Sequence, residues 1–481
     1  MSSQTPPPVI APLVRRHVED AAFYWAQHDA STYSPRLSLS GLARFSDLLD
    51  AHLEGVLVAD STGWQPTLGA LERWKQPGEA FVCAYAALYR DEMAQLEALL
   101  AVVRARPDEL LRGVISALAW VPQASALAVI SRWTQDDSDS VMQVAALRAL
   151  ALIEARRTEA ENATEGGMED AAPVQTALSQ PLSHFLASTD AHVRAAACRV
   201  AANTPSDQQL ELALSNCLQD ADLAVRAQAA IAVALHARRA EFNAANNRTE
   251  QSEDIGILAA ETLWQCIVSQ VSLVAESSGW YRKQALRRLN RWVQHLAGMI
   301  PLGNPQLSAL LTFMPARVGL RFVAYHGDPA HLPYVLTHMT DVETARYAGW
   351  VWQTVTGVDL VSAGLALAES EQAASPAISD ARLDADLGLA LPNAAAVAAY
   401  ANTTLHSGQR YLLGQVLTPT SALAYLDEST QAIRNIAANY LQLSHPNLSV
   451  TVRGPAHQQV AALEQLQAVL QKDLINVEDA A

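Results

Sequence analysis

Five residues of types that bind metal ions lie within 16 positions of one another in the second half of the sequence: His326, Asp328, His331, His338 and Asp341. Imidazole nitrogens and carboxylate oxygens are the ligands of zinc and related ions. No His-x-x-x-His or His-Glu pair accompanies them, although such pairs fix the geometry of helical metal sites. We therefore predict capping and turn roles for these residues and no bound metal.

The sequence lacks the catalytic motifs of several enzyme classes. It has no Gly-x-Ser-x-Gly for a serine nucleophile, no Gly-Lys phosphate loop and no His-Glu-x-x-His. The acidic run at 136–139 lacks the glycine and distal glutamate of a calcium loop, which favours helix capping. We predict no catalytic residues, no cofactor and no enzymatic activity.

A short phrase recurs along the chain: an acidic residue, an apolar segment, an arginine, and a small residue three positions later. Its clearest copies contain Asp190 with Arg194 and Asp220 with Arg226, and the two arginines are 32 positions apart. A repeat of this length is one helical hairpin, and hairpins that cannot bury their apolar faces alone stack into a solenoid. Less regular copies continue the pattern at Arg282, Arg346 and Arg434.

Each part of the phrase has a physical role. Asp190 and Asp220 occupy positions where a carboxylate can cap the next helix. Arg194 and Arg226 are expected at the seam between repeats, bridging to an aspartate of the neighbouring repeat. The alternative is that these arginines are exposed helix residues.

The sequence predicts an all-α fold, specifically an α-solenoid of stacked, HEAT-like helical hairpins with a distinct C-terminal cap. Half of the residues are hydrophobic and only 6% aromatic, as in tightly packed helices. The predicted regions are an N-terminal hairpin and leader (1–80), a repeat array (81–361), a flexible polar linker (362–386) and a helical capping region (387–481).

Polar insertions are predicted within the array near 157–173 and 239–256. They share a phase with the linker at 362–386, so all three would emerge from one edge of a solenoid. They are either tolerated surface loops or a mobile acidic rim beside a partner-binding face.

The charge and the cysteine positions argue against several kinds of partner and cellular compartment. With 33 Lys and Arg against 49 Asp and Glu, the net charge is −16, which disfavours nucleic acid. The uncharged segment 113–131 contains Pro122, so we predict two short helices there and no membrane insertion. The Pro-rich start does not resemble a secretory signal. Four cysteines without paired spacing indicate buried free thiols in a cytoplasmic protein.

Three residues are candidates for binding a protein partner. Trp25 belongs to an aromatic cluster in the first hairpin, and Arg410 and Tyr411 lie between two glycines. Tryptophan, tyrosine and arginine dominate binding hot spots. Core packing for Trp25 and a structural turn at Arg410 are the alternatives.

Segments 18–25, 50–56, 327–333, 356–360 and 408–414 resemble an uncharacterised bacterial family with HEAT-like repeats that is often encoded beside type VI secretion genes. The resemblance implies a non-enzymatic scaffold or adaptor that binds a protein partner, namely an effector, a spike-tip component or another secretion protein. The HEAT-like phycobilin lyases share the Asp-x-x-Val-Arg phrase, so an enzyme related to them is the alternative.

Overall fold

The computed structural model describes residues 10–155, 177–243, 250–368, 386–400, 405–448 and 450–479, and most of these residues are helical. The strands among them, β1 (Tyr411–Leu412) and β2 (Gln415–Val416), form one antiparallel hairpin. The predicted all-α class is confirmed.

The helices among the described residues up to 243 are α1 (Ala11–Ser31), α2 (Leu39–Val58), α3 (Ser61–Trp74), α4 (Pro77–Arg90), α5 (Met93–Ala105), α6 (Pro107–Leu118), α7 (Gln123–Trp133), α8 (Ser140–Glu154), α9 (Leu182–Leu186), α10 (Ala191–Ala201), α11 (Gln208–Cys217) and α12 (Leu223–Asn243). The corner between α6 and α7 contains Pro122, as predicted.

The later helices are α13 (Glu250–Glu276), α14 (Gly279–Met299), α15 (Leu307–Phe313), α16 (Ala316–His326), α17 (Leu332–Thr337), α18 (Ala345–Thr356), α19 (Ala394–Ala399), α20 (Pro419–Glu428), α21 (Gln431–Ser444) and α22 (Ala456–Asp479). Two single turns of 3₁₀-helix, Pro329–His331 and His338–Thr340, flank α17.

Two compact units divide the chain. Unit 1 comprises Met1–Ala232 together with Asn447–Ala481, and unit 2 comprises Val233–Pro446. The predicted capping region 387–481 is therefore divided between the two units. Residues 387–446 belong to unit 2 and residues 447–481 to unit 1.

Unit 1 is built from helices that pack on their next-but-one neighbours. α4 packs on α6, α6 on α8 and α8 on α10, while α3 contacts α5 and α9 contacts α11. Small residues allow the close approach: a Cβ on Gly113 of α6 would lie 2.2 Å from the carbonyl oxygen of Pro77. α22 returns to pack on α2, where the amide of Ala456 donates to the Ser46 hydroxyl at 3.1 Å.

Unit 2 follows the same arrangement. α14 packs on α16 and α16 on α18, while α13 lies against α14, and α21 contacts both α14 and α16. α16 and α18 end at Gly327 and Gly357, whose φ angles of +69° and +73° are costly for residues with a Cβ. A Cβ on Gly357 would meet the Leu413 carbonyl oxygen at 2.4 Å, so the β-hairpin lies directly against this helix end.

The predicted polar insertions have different outcomes. The one near 157–173 lies outside the described residues. The one near 239–256 is helical at both ends, where 239–243 completes α12 and 250–256 begins α13; residues 244–249 lie outside the description. Alanine, arginine, glutamate and glutamine in these ends are good helix formers, and this local preference prevailed over their polarity.

The two ends of the predicted flexible linker 362–386, which the structure describes, are held by hydrogen bonds. The amide of Leu367 donates to the Leu391 carbonyl at 2.8 Å, and the Asp386 carboxylate is bound by the Arg317 guanidinium. Residues 369–385 lie outside the description.

Burial of a histidine in α1 makes the stability of unit 1 depend on pH. His28 is buried edge-on to Trp120, with ring centroids 5.1 Å apart, and its Nε2 has no hydrogen-bond partner. Burial lowers the pKa of His28 to about 4 from 6.5. Because the folded pKa lies below the unfolded one, the unfolded state binds the proton more readily.

We expect the free energy of unfolding to fall as the pH decreases from about 6.5 to about 4, with His28 contributing about 3 kcal/mol of the loss. Urea unfolding at several pH values measures this slope. His28→Phe, which keeps the ring contact with Trp120, should flatten it, whereas His192→Phe at an exposed position should not. An unchanged slope in His28→Phe would contradict the assignment.

Candidate functional site

The arginines of the repeat phrase bind the turn that precedes their own helix. Arg194 donates to the carbonyl oxygens five and six residues before it, at 3.0 and 2.7 Å. Arg226 makes the same two bonds at 3.1 and 2.5 Å. Gln143, at the equivalent position of the preceding repeat, reaches the carbonyl five residues before it at 3.2 Å. The recurring side chain thus supplies donors to carbonyl groups that the turn leaves without partners.

Arg194 also joins its hairpin to the next one. Its Nε and a terminal nitrogen donate to the two carboxylate oxygens of Asp220 at 2.7 and 2.9 Å, and both side chains are largely buried. The guanidinium therefore lowers the pKa of Asp220. This two-bond pair has the geometry expected at a repeat seam, because planar guanidinium and carboxylate groups match.

The two aspartates of the phrase have different roles. Asp190 caps α10, accepting from the amides of His192 and Val193 at 2.7 and 3.3 Å. Asp220 was predicted to cap α12, but it is engaged with Arg194. The residue that accepts from the first amides of α12 is Asp222, at 2.8 and 3.1 Å. The prediction was wrong by two positions, since either aspartate satisfies the local pattern.

The predicted seam arginines of unit 2 are not equivalent. Arg282 is exposed on α14. Arg346 donates to the carbonyl oxygen of Leu389. Arg434 is buried, and its Nε donates to the Leu426 carbonyl at 2.6 Å. Burial lowers the pKa of Arg434 to about 10, which leaves it charged at neutral pH.

Trp25, a candidate for partner binding, is a core residue of unit 1. Its indole nitrogen donates to the Ser116 hydroxyl at 2.9 Å, and its ring stacks on Phe81 with centroids 5.3 Å apart. Only 3% of Trp25 is exposed, so its ring offers no surface to a partner.

Arg410 and Tyr411 are likewise structural. Arg410 donates to four carbonyl oxygens at the ends of α14 and α16, those of Ala297, Gly298, Ile300 and His326, at 3.0, 3.5, 3.1 and 2.9 Å. Helix C-termini carry partial negative charge, which favours a cation there. Tyr411 is buried, and its amide donates to the Gly327 carbonyl at 2.8 Å. The pair fastens the β-hairpin to two helix ends.

A cleft of about 660 Å³ in unit 2 is the candidate binding site. Its walls come from α12, α13, α14 and α21 and the segment after α14; we call it the α13 cleft. Its charged lining residues are Arg238, Glu241, Glu253 and Glu261, of which the first two form an ion pair at 3.7 Å. Trp264 and His295 also line it. Volumes of this order are typical of ligand-binding clefts.

Exposed apolar side chains occur at the start of α13, and one of them lines this cleft. Ile257, itself a lining residue, and Leu258 are each 52% exposed, and Ile255 is 40% exposed. Among the described residues, Glu253–Glu276 is the one helical segment long and apolar enough to cross a bilayer, a property that core helices can share. Lining residues come from four helices, α12, α13, α14 and α21, so no local pattern in the sequence indicates this site.

One group of potential metal ligands is close together within the described part of the chain: His326, Asp328 and His331. We call it the His–Asp–His cluster. His338, also in the sequence pattern, packs edge-on against Tyr334 instead, with ring centroids 4.6 Å apart. The members of the cluster do not have helical His-x-x-x-His spacing, because the left-handed turn at Gly327 brings them together.

All four cysteines are free and buried, as predicted. Two of them nevertheless interact: the thiols of Cys198 on α10 and Cys217 on α11 share a hydrogen bond. This bond raises the pKa of Cys198. Their separation in sequence gave no indication of this contact.

A double-mutant cycle on Arg194→Ala and Asp220→Asn should give a coupling free energy of about 1–2 kcal/mol, because the pair is largely buried and makes two parallel bonds. Urea unfolding of the four proteins measures it. The exposed Arg16–Asp20 pair, separated by 3.5 Å, is the matched control and should couple by less than about 0.5 kcal/mol. Equal coupling in the two pairs would contradict a seam role for Arg194.

No protein-family model, no curated protein and no solved structure matches this chain.

Proposed function

We propose that the protein is a non-enzymatic scaffold or adaptor, built as an α-solenoid of HEAT-like hairpins with a C-terminal cap, that holds a protein partner. Support for the solenoid comes from the next-but-one helix packing in each unit. The repeated carbonyl bonds of Arg194 and Arg226 add to it, because the same side chain makes the same contacts one repeat apart.

The α13 cleft and an exposed apolar side chain in its lining carry the proposal of partner binding. Ile257 lines the cleft and is 52% exposed. Exposed apolar groups in a concave surface are typical of protein-binding sites. A partner segment that fills the cleft would bury this side chain.

Charge indicates the chemistry of that segment. The charged lining of the α13 cleft consists of one arginine and three glutamates, and the whole chain carries a net charge of −16. A complementary partner therefore presents apolar residues flanked by lysine or arginine. Attraction between the opposite charges would accelerate association at low salt and weaken as salt screens it.

The setting that we propose is type VI secretion in the bacterial cytoplasm, on the basis of the family resemblance at 18–25 and 408–414. The partner would then be an effector, a spike-tip component or another secretion protein held before use. Nucleic acid is not proposed as a partner, because the acidic surface repels phosphate.

A chromophore lyase remains the alternative because the cleft volume of about 660 Å³ is also suitable for a small molecule. Visible absorbance that co-purifies with the protein from its native strain, and that disappears in Trp264→Ala, would favour this alternative over the scaffold.

A photo-crosslinking amino acid at position 257 tests the partner site directly. Crosslinking from position 257, but not from exposed Leu212 on α11, is expected in the native strain with the secretion apparatus assembled. Mass spectrometry identifies the captured protein. Equal capture from both positions would refute the α13 cleft, and capture of a protein unrelated to secretion would refute the setting alone.

Ile257→Asp should weaken binding of the captured partner by about 10-fold or more, because a charge replaces an apolar contact. Titration calorimetry with the purified partner measures the affinity at two salt concentrations. The melting temperature should change little, since the side chain is half exposed. Leu212→Asp is the control and should bind as the wild type does.

A further inference from the structure

The His–Asp–His cluster occupies a sharp turn between two helices of unit 2. His326 is the last residue of α16, Gly327 turns the chain, and Asp328 caps the short 3₁₀ turn that ends at His331. One ligand atom from each of the three side chains lies within 4.8 Å of those of the other two. Two imidazoles and a carboxylate therefore face one small volume.

The polar atoms of this cluster lack hydrogen-bond partners although they are buried. His326 and Asp328 are 0% exposed and His331 is 9% exposed. Both ring nitrogens of His326, Oδ2 of Asp328 and Nε2 of His331 make no hydrogen bond of normal geometry. Buried polar groups are nearly always satisfied, and several unsatisfied ones in contact indicate that a bound group supplies the missing interaction.

We propose that His326, Asp328 and His331 bind a divalent transition-metal ion, with Zn²⁺ the ion that fits best. Two imidazole nitrogens and one carboxylate oxygen form a ligand set that zinc accepts, leaving a fourth position for water. Metal–ligand bonds of about 2.0–2.2 Å require the ligand atoms to lie closer together than 4.8 Å, so binding of the ion would draw the three side chains together. The same set also suits Fe²⁺.

Burial affects both imidazoles of the cluster. It lowers the pKa of His326 to about 3, with the charge of Arg410 adding to the effect, and it also lowers the pKa of His331. The Ile300 and Pro301 carbonyl groups lie near the His326 ring, as the carbonyls that orient metal-binding imidazoles do.

The positive charge of Arg410 is the main electrostatic opposition to a bound cation. Its guanidinium is held by four carbonyl oxygens, including that of His326 itself, and the Asp328 carboxylate attracts it. Asp328 also accepts the Ala330 amide through Oδ1 at 2.9 Å, which leaves Oδ2 available to an ion. Oδ2 brings the negative charge that the ion requires.

A metal at this position would link the end of α16 to the turn that follows it. The turn it occupies adjoins Gly327, whose carbonyl accepts the Tyr411 amide of the β-hairpin, and the His326 carbonyl binds Arg410. The ion would fix the end of α16 against the following turn and so stabilise the surface on which the hairpin lies. We expect zinc to raise the melting temperature because it binds the folded state preferentially.

The test uses the full chain without an affinity tag, stripped with a chelator and dialysed. Zn²⁺ affinity is measured by competition with a colorimetric chelator, and Co²⁺ is added as a spectroscopic probe of ligand geometry. We expect one zinc per chain, visible ligand-field bands with cobalt and a higher melting temperature with zinc. Failure of both zinc and cobalt to bind the folded wild type would overturn the proposal.

Asp328→Asn separates ligation from folding, because asparagine keeps the Oδ1 cap but loses the carboxylate charge. It and His331→Gln should each weaken zinc binding at least about 10-fold. His338→Gln, outside the cluster, should bind like the wild type. Equal affinities in all four proteins would place the ion elsewhere and refute the site. If circular dichroism shows that a variant does not fold, the cobalt spectrum of the wild type is the test instead. A spectrum that lacks the bands expected for nitrogen ligands would also refute the site.

Discussion

Carbonyl groups at the ends of helices and turns are the constraint around which this fold is organised. A helix leaves its last carbonyls without internal partners, and a chain of many short helices has many such ends. Here arginine side chains supply the donors. Arg194 and Arg226 donate to carbonyl groups of the turns before their own helices. Arg434 donates to a carbonyl at the end of α20, and Arg410 donates to carbonyls at two helix ends. A guanidinium suits this task because it carries five donors and remains charged even when burial lowers its pKa.

This constraint explains which features could be predicted from sequence. The repeat of 32 positions and the acidic-to-arginine phrase depend on contacts within a few residues, so the helices and the role of Asp190 followed from local pattern. The choice between Asp220 and Asp222 as the cap of α12 depended on Arg194, a residue of α10, two helices earlier. Local sequence left open whether Arg410 binds a partner or forms a structural turn, because its carbonyl partners lie more than 80 positions away.

The candidate sites were harder to predict for the same reason. Nothing near Ile257 in the sequence indicates that α12, α14 and α21 form a cleft beside it. The metal-ligand types at 326–341 were visible, but helical spacing was the wrong template. The cluster and the cleft also share a neighbour: Ile300 lines the α13 cleft, and its carbonyl binds Arg410 beside His326. An ion in the cluster would therefore influence how firmly one wall of the cleft is held.

The discontinuity of unit 1 has a consequence for synthesis in the cell. α22 and Ala456 pack against α2 and Ser46, although more than 400 residues separate these segments along the chain. A ribosome releases the N-terminal helices first, and all of unit 2 must follow before the segment after residue 446 emerges. During that interval the face of α2 that receives α22 stays uncovered, whereas unit 2, which is continuous, can fold as it emerges. The contact between α22 and α2 can therefore form only after the whole of unit 2 has been synthesised.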